Sequence, residues 1–390
     1  MREAKEFCQR LGIPYQEALD PCFEAGRALY EENRFRFTDR KRLVRLNDEY
    51  RIFRKWFGDV LTAAEKLEAD DDLLLYIAVL YAVIRDRQPL SVLRAPDWGC
   101  METDFAPLYA LLYFLEDMIA DMQRRGVPAD VLSDTLNGFD TEINDYYDLF
   151  GRSGMRRYVS WFLLFVYGKL LRVGRLQFEM TTFRGRVRAY RKGDEVRLLL
   201  DDAEVHRGGM LWGSAYQDDE AGRFHAAITE DGGTVRGYPA NAWGECEPEP
   251  VTLTGYREAL RFGDPVISVH IPSHAAFDAA ACDDAFDRAR AIFTACYPEH
   301  AFKAFVCYSW MMEKRLRQIM ERDTNVTRFA DRFAGFPLKS DGVSAVRTFL
   351  FHCPEGVPVA DFPETTSMQR AVKAWLLDGK GFYEKGGLFF

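Results

Sequence analysis

The fold of this chain is decided by residues 263–310, which read GDPVISVHIPSHAAFDAAACDDAFDRARAIFTACYPEHAFKAFVCYSW. The apolar, β-branched run Val266–Ile271 predicts a buried strand, and Pro272 ends it because proline has no N–H to donate. Apolar residues at helical spacing then predict a helix over 278–296, and a second apolar run predicts a strand over 304–310. A strand, a crossover helix and a second strand form two parallel neighbours with the helix on one face of the sheet.

Polar side chains occupy the carboxyl ends of both predicted strands. Alternation places Ser268 and His270 on one face of the first strand, and it separates Tyr308 from Cys307 and Ser309 on the second. Ligands of open α/β sheets bind beyond the carboxyl ends of the strands, and buried polar groups need partners. We therefore predict a site here, with His270 as a general base or orienting group. The structural alternative is a core histidine bonded to a backbone carbonyl.

The second strand offers two kinds of chemistry. Tyr308 and Ser309 are candidate proton or hydrogen-bond donors, whereas Cys307 or Ser309 as a nucleophile would indicate a hydrolase. The nucleophile interpretation is the weaker one, because the sequence contains no G-x-S-x-G turn. Metal ligands are not predicted, since neither His270 with His274 nor His352 with Cys353 has the spacing of a tetrahedral site.

Composition limits the classes of partner. The chain has 390 residues, 48% of them hydrophobic, and a formal net charge of −9, which favours two globular domains and argues against binding to nucleic acid or to anionic membranes. Its eight cysteines form no C-x-x-C pair and predict reduced thiols. Without a signal-like N-terminus or an apolar run long enough to cross a bilayer, we expect a cytoplasmic protein.

The first part of the chain has helical periodicity almost throughout. It predicts a helical domain over 1–165, with helices at about 3–11, 14–32, 39–67, 73–84, 105–124, 129–136, 140–150 and 155–171. This domain is interpreted as a bundle that builds a core rather than as a catalytic element.

The remainder, 166–390, changes to short β-type runs. Lys192-Gly193-Asp194 and Asp231-Gly232-Gly233 separate pairs of such runs and predict hairpins. We also predict a helical turn over 256–262 and a strand over 345–351. The predicted fold class is therefore α/β, of the α+β kind: an N-terminal helical bundle followed by a mixed sheet with flanking helices.

The two short stretches Gly263–Pro272 and Ala304–Trp310 resemble those of a bacterial family of GNAT-like N-acyltransferases. Proteins of that family have a helical N-terminal domain and a GNAT-like C-terminal domain, in the same order of elements. The resemblance implies that acyl-CoA lies in a gap between the two parallel strands and that a small-molecule amine attacks it directly in a ternary complex.

The resemblance also implies roles for individual residues. His270 corresponds to the base, and Tyr308 or Ser309 to the acid that protonates the leaving thiolate. The cofactor phosphates would lie at the start of the following helix, near Ile271, Ser273, His274 and Asp278.

One feature of this region departs from the family pattern. GNAT enzymes carry a Gln/Arg-x-x-Gly-x-Gly/Ala loop before this helix, whereas 273–277 contains no glycine. The alternative function is therefore a non-catalytic binding or sensor protein that holds a small ligand in the same cleft. The sequence leaves the oligomeric state open.

Overall fold

The computed structural model describes residues 2–34, 36–215, 222–273, 277–320 and 323–390. The chain divides into two compact units. One comprises Met1–Gly174 with Pro272–His274, and the other comprises Arg175–Ile271 with Ala275–Phe390. The division after Gly174 falls nine residues beyond the predicted boundary at 165.

The first unit is a set of helices that ends in one strand. Its elements are α1 (Arg2–Leu11), α2 (Asp20–Asn33), α3 (Arg40–Tyr50), α4 (Phe57–Leu67), α5 (Asp71–Arg85), α6 (Met101–Leu112), α7 (Leu115–Arg124), α8 (Ala129–Leu136), α9 (Gly138–Phe150), α10 (Val159–Val166) and strand β1 (Leu170–Val173). Helix α5 is apolar on nearly all sides and is buried from Leu73 to Ile84 except at single positions, so it lies in the core of this unit.

Side chains determine where these helices begin and end. The carboxylate of Asp70 accepts a hydrogen bond from the N–H of Leu73 and starts α5. The predicted long helix over 39–67 is interrupted, because Arg51 has left-handed backbone angles (φ 52°) and the Asp140 carboxylate accepts the N–H groups of Lys55 and Trp56. These bonds satisfy backbone donors that a continuous helix would have used internally.

The second unit begins with antiparallel strands. Its elements before the crossover are β2 (Leu176–Thr182), β3 (Val187–Lys192), β4 (Glu195–Leu200), β5 (Ala203–His206), β6 (Arg223–Ala226), β7 (Thr229–Asp231), β8 (Thr234–Gly237), β9 (Val251–Thr254) and β10 (Arg257–Leu260). Both predicted hairpins form, β3 with β4 and β7 with β8.

The crossover and the C-terminal elements complete the second unit. They are β11 (Pro265–His270), α11 (Ala279–Cys296), β12 (Phe305–Ser309), α12 (Leu316–Ile319), α13 (Asn325–Ala330), β13 (Ala334–Pro337), α14 (Ser344–Phe349), α15 (Ser367–Leu377) and β14 (Lys385–Phe389). Strands β2, β11, β12, β14 and β13 are neighbours in that order, and β11 and β12 are parallel as predicted.

The two faces of this sheet are covered differently. On one face Phe178 and Phe305 pack against Phe286 of α11 at ring-centroid distances of 5.7 and 5.3 Å. On the other face the shorter strands supply a second core, whose buried members include Val187, Ala189, Leu198, Val266, Val306, Phe336 and Leu388. The sheet is therefore apolar on both faces, and the polar residues of β2 and β11 are exceptions that need an explanation.

In two segments the predicted type of secondary structure was wrong. Residues 257–260 form a strand rather than a helical turn, because they pair with β3 and bury Leu260. Residues 344–349 form a helix rather than a strand, because the Asp341 carboxylate accepts the N–H groups of Val343 and Ser344 at 3.0 and 2.8 Å and starts a helical turn. In both segments tertiary contacts and local capping outweighed residue propensity.

Candidate active site

The two parallel strands separate at their carboxyl ends. Strands β11 and β12 pair only at Ile267 with Phe305 and at Ser268 with Val306. Beyond these pairs each strand stays bonded to its outer neighbour, since His270 pairs with Gln177 of β2 and Ser309 pairs with Lys385 of β14. The ladder therefore opens between β11 and β12 at the level of His270, as the family resemblance implied.

His270 is held by a carboxylate on the adjacent strand. Its Nε2 atom lies 2.9 Å from Oε2 of Glu179, and the two side chains are 30% and 19% exposed. Opposite residues of an antiparallel pair share a face, so the pairs His270–Gln177 and Ser268–Glu179 place all four side chains on the face opposite α11. A carboxylate bonded to an imidazole fixes the orientation of the ring.

Tyr308 lies on the same face as His270. The parallel register that places Val306 beside Ser268 brings the side chain of Tyr308 to the His270 face and that of Ser309 to the face of α11. The Tyr308 hydroxyl accepts the backbone N–H of Arg184 at 3.2 Å, and burial raises the pKa of this phenol. It therefore keeps its proton at neutral pH, and no described residue accepts that proton.

Ser309 has a local structural bond. Its hydroxyl oxygen accepts the N–H of Met311 at 3.1 Å and caps the short 3₁₀ turn Trp310–Met312. Within the described ranges its proton is donated to no residue, but the hydroxyl lies on the face away from His270. The structure thus places two of the three predicted catalytic residues, His270 and Tyr308, on the same face of the sheet.

Cys307 does not have the environment of a nucleophile. Its side chain is 1% exposed, it lies on the opposite face from His270, and burial raises the pKa of the thiol to about 12. A reactive cysteine needs a lowered pKa and access to solvent. These observations disfavour the hydrolase interpretation.

The predicted phosphate contacts are described only in part. The Asp278 carboxylate caps α11 by accepting the N–H of Ala280 at 2.7 Å. The Ser273 hydroxyl donates to Oδ1 of Asp145 at 2.6 Å. Ile271 is partly buried, and His274 lies outside the described residues. The assignment of cofactor contacts to Ile271, Ser273, His274 and Asp278 stays a prediction.

A group of buried charges lies near the end of β12. Lys385, which is fully buried, donates from Nζ to the Trp243 carbonyl at 2.7 Å and to Oε1 of both Glu245 and Glu313 at 3.2 and 3.1 Å. Arg315 adds a second cation, 2.8 Å from Oε2 of Glu245. Two cations and two anions balance one another, so this group fixes the turn after Ser309 without a net buried charge.

Two residues beside His270 were missed by sequence reasoning. Glu179 and Gln177 lie in β2, in the part of the chain where short β-type runs were predicted. Their spacing of two residues, in a run whose other members are mostly apolar, was a signal that both face one side of a buried sheet. Only the register of β2 against β11 shows that this side is the side of His270.

Other kinds of site find no support in the part of the chain that the structure describes. Within the described ranges, no three His, Cys, Asp or Glu side chains are arranged to hold a metal ion. No described helix combines the length and the apolar character needed to cross a membrane. A surface groove of about 710 Å³ lies on α3, lined by Arg40, Lys41, Val44, Arg45, Asp48 and Glu49, and includes none of the candidate residues.

Comparison with known families gives two matches that together span most of the chain. Residues 170–389 match the model of the GNAT-like C-terminal domain, and residues 27–168 match the model of the N-acyltransferase N-terminal domain. The first match alone covers more than half of the chain. A search of curated proteins finds no match to this chain.

Solved structures share the fold over both parts. An acyltransferase in complex with decanoyl-CoA and teicoplanin is 18% identical with a TM-score of 0.63, over 99% of this chain and 98% of that one. An acyltransferase in complex with decanoyl-CoA is 16% identical with a TM-score of 0.63, again over 99% and 98%. An acyltransferase mutant in complex with octanoyl-CoA is 18% identical with a TM-score of 0.61, over 89% and 87%.

Proposed function

Because the chain belongs to the family of proteins with a GNAT-like C-terminal domain, we propose that it is an N-acyltransferase that moves an acyl group from acyl-CoA to an amine. The observation that carries this proposal is the opening between β11 and β12 beside His270. Such an opening exposes backbone groups that no longer bond to the neighbouring strand, and these are available to an extended acyl-CoA.

The residues beside the opening supply the proton transfers. The amine nitrogen attacks the thioester carbonyl carbon, the new C–N bond forms, and the C–S bond breaks. His270 takes the proton that the amine loses, and Tyr308 gives a proton to the departing thiolate, so one proton passes from nitrogen to sulfur overall. Glu179 orients the imidazole.

Tyr308 is preferred to Ser309 as the acid. It lies on the face of His270, its hydroxyl is oriented by the Arg184 N–H, and its own proton is not donated to any described group. Ser309 remains the alternative donor, and the cofactor phosphates are proposed to bind near Ile271, Ser273, His274 and Asp278.

The ligands of the proteins that share the fold support a proposal for the acyl donor and the acceptor. Three of those structures hold octanoyl-CoA or decanoyl-CoA, a fourth holds CoA with 10C-teicoplanin, and one of the decanoyl-CoA complexes also holds teicoplanin. We therefore propose a medium-chain acyl-CoA as the donor and a small-molecule amine as the acceptor. No metal takes part in this proposal.

The experiment is calorimetric titration of the purified protein with decanoyl-CoA, acetyl-CoA and free CoA, followed by measurement of CoA release with a panel of amines. Binding of decanoyl-CoA, with CoA release that depends on an amine, is expected. Binding without CoA release in the presence of any amine would instead support the less favoured alternative, a non-catalytic sensor protein. No binding of any CoA species would contradict both the donor and the cleft.

A further inference from the structure

Gln177 presents a buried amide nitrogen that has no hydrogen-bond partner among the described residues. The residue is 3% exposed, and its Nε2 atom is buried and bonds to no described residue. Native proteins satisfy nearly all buried polar side-chain atoms, because leaving one unbonded loses the hydration of that atom without compensation. We therefore expect the Nε2 atom to donate a hydrogen bond to a ligand when that ligand binds.

The position of Gln177 in the sheet indicates which of the two substrates its amide would contact. It is the direct cross-strand partner of His270, so the two Cβ atoms are roughly 5 Å apart and the side chains share a face. It lies on β2, on the side of β11 away from β12, whereas the opening proposed for acyl-CoA lies between β11 and β12. The amide thus adjoins the amine that His270 deprotonates rather than the thioester.

We propose that Gln177 selects the acceptor by donating a hydrogen bond from Nε2 to a neutral oxygen next to the reacting amine. The preferred substrates are amines that carry a hydroxyl or carbonyl oxygen on the carbon adjacent to the amine-bearing carbon. The amide suits a neutral oxygen because it carries no charge, and the nearby Glu179 carboxylate is already bonded to His270. This assignment rests on the proposed acyl transfer.

A matched pair of amines tests the assignment. With decanoyl-CoA as the donor, kcat/KM is measured for 2-aminocyclohexanol and for cyclohexylamine, which differ only in the adjacent hydroxyl. The wild-type protein is expected to prefer the amino alcohol about tenfold, the size of one net hydrogen bond between uncharged groups. Gln177→Met, which keeps the length of the side chain, should lose that preference, because turnover of the amino alcohol falls more than turnover of cyclohexylamine.

The thermal stability of the ligand-free protein gives a readout that does not depend on activity. Gln369 is a matched control, because it is also buried but its amide is bonded, with Nε2 donating to the Leu350 carbonyl at 2.9 Å and Oε1 accepting the Thr366 N–H at 3.1 Å. Gln369→Met should lower Tm without changing acceptor preference. Gln177→Met should leave Tm unchanged or raise it, because it removes an unbonded polar group.

The outcomes separate this assignment from the proposed function. Wild-type turnover of both amines without preference would overturn the role of Gln177 while leaving acyl transfer established. Equal loss of both activities in Gln177→Met, or a fall in Tm as large as that of Gln369→Met, would also overturn it. Failure of the wild-type protein to bind decanoyl-CoA or acylate either amine would overturn the proposed function and the assignment together.

Discussion

The imidazole of His270 and the carboxylate of Glu179 face each other across two antiparallel strands, with Nε2 and Oε2 2.9 Å apart. They are diagonal neighbours, since Glu179 pairs directly with Ser268. The separation of β11 from β12 begins at this level. Burying two polar side chains in a sheet with two apolar faces costs free energy, and their mutual hydrogen bond offsets that cost. The pair lies beside the opening where we propose that the thioester binds.

We expect His270→Gln to lower kcat by about 10²–10⁴-fold, the usual contribution of a general base, with little change in the Kd for decanoyl-CoA. His300 provides the matched control. It is also partly buried, but its Nε2 bonds to the Val266 carbonyl near the start of β11, so His300→Gln should keep kcat within a few-fold. Equal losses in the two variants would indicate a structural role for His270.

Glu179→Gln tests whether the carboxylate acts through His270. We expect kcat to fall by roughly 10–100-fold at an unchanged Kd for the acyl donor. In the double variant Glu179→Gln/His270→Gln the second substitution should cost almost nothing, because residues that act as one unit are not additive. Additive losses in this double-mutant cycle would mean that Glu179 has an independent role.

Substitutions of Asp278 distinguish its role as a helix cap from a role in cofactor binding. Asparagine caps a helix as well as aspartate does, so Asp278→Asn should retain stability, whereas Asp278→Ala should lose about 1 kcal/mol. Since a carboxylate at this position repels phosphate, CoA should bind Asp278→Asn at least as tightly as the wild type. A tenfold weaker affinity, measured by calorimetry, would show that the carboxylate itself contacts the cofactor.

Glu142 predicts a specific pH dependence of stability. Burial, with a smaller contribution from Asp145, raises the pKa of this carboxyl from 4.5 to about 8. Well below pH 4.5, the folded and unfolded chains both hold the proton. Between pH 4.5 and about 8 only the unfolded chain releases it, so the free energy of unfolding falls with rising pH.

Glu142→Gln should remove this fall in the free energy of unfolding with rising pH. Unfolding in urea at several pH values should show the variant equal to wild type below pH 4.5 and, at about 1.4 kcal/mol per pKa unit, about 4 kcal/mol more stable at pH 8. The exposed Glu6 of α1 is the control, and Glu6→Gln should leave the profile unchanged. A pH-independent difference between Glu142→Gln and wild type would contradict the assignment.

Lys385→Met should destabilise the protein by about 3–5 kcal/mol, because it leaves the buried carboxylates of Glu245 and Glu313 with one cation fewer. Lys380→Met is the matched control, since Lys380 is 50% exposed in its pair with Asp378 and its loss should cost about 0.5 kcal/mol or less. Denaturant unfolding of both variants measures the two losses of unfolding free energy. Similar small losses would show that the buried group contributes little.

The sequence alone determined the helical first part, the mixed second part and the strand–helix–strand crossover. The apolar run Val266–Ile271, the proline after it and the helical spacing over 278–296 are local patterns, and each follows from the geometry of a single element. The family models confirm the resemblance that the two strand motifs indicated. Local capping by Asp341 and pairing of 257–260 with β3 were beyond this reasoning, and the two predictions there were wrong.

Only the tertiary structure decided which polar residues meet. A strand pattern shows that Gln177 and Glu179 share a face, but not which face of which neighbour they oppose. The antiparallel register with β11 puts them beside His270, and the parallel register with β12 puts Tyr308, rather than Ser309, on that face. A shift of one residue in either register would reverse every side chain. The physical reason is that register depends on packing between segments far apart in the chain, whereas periodicity depends only on residues close together in it.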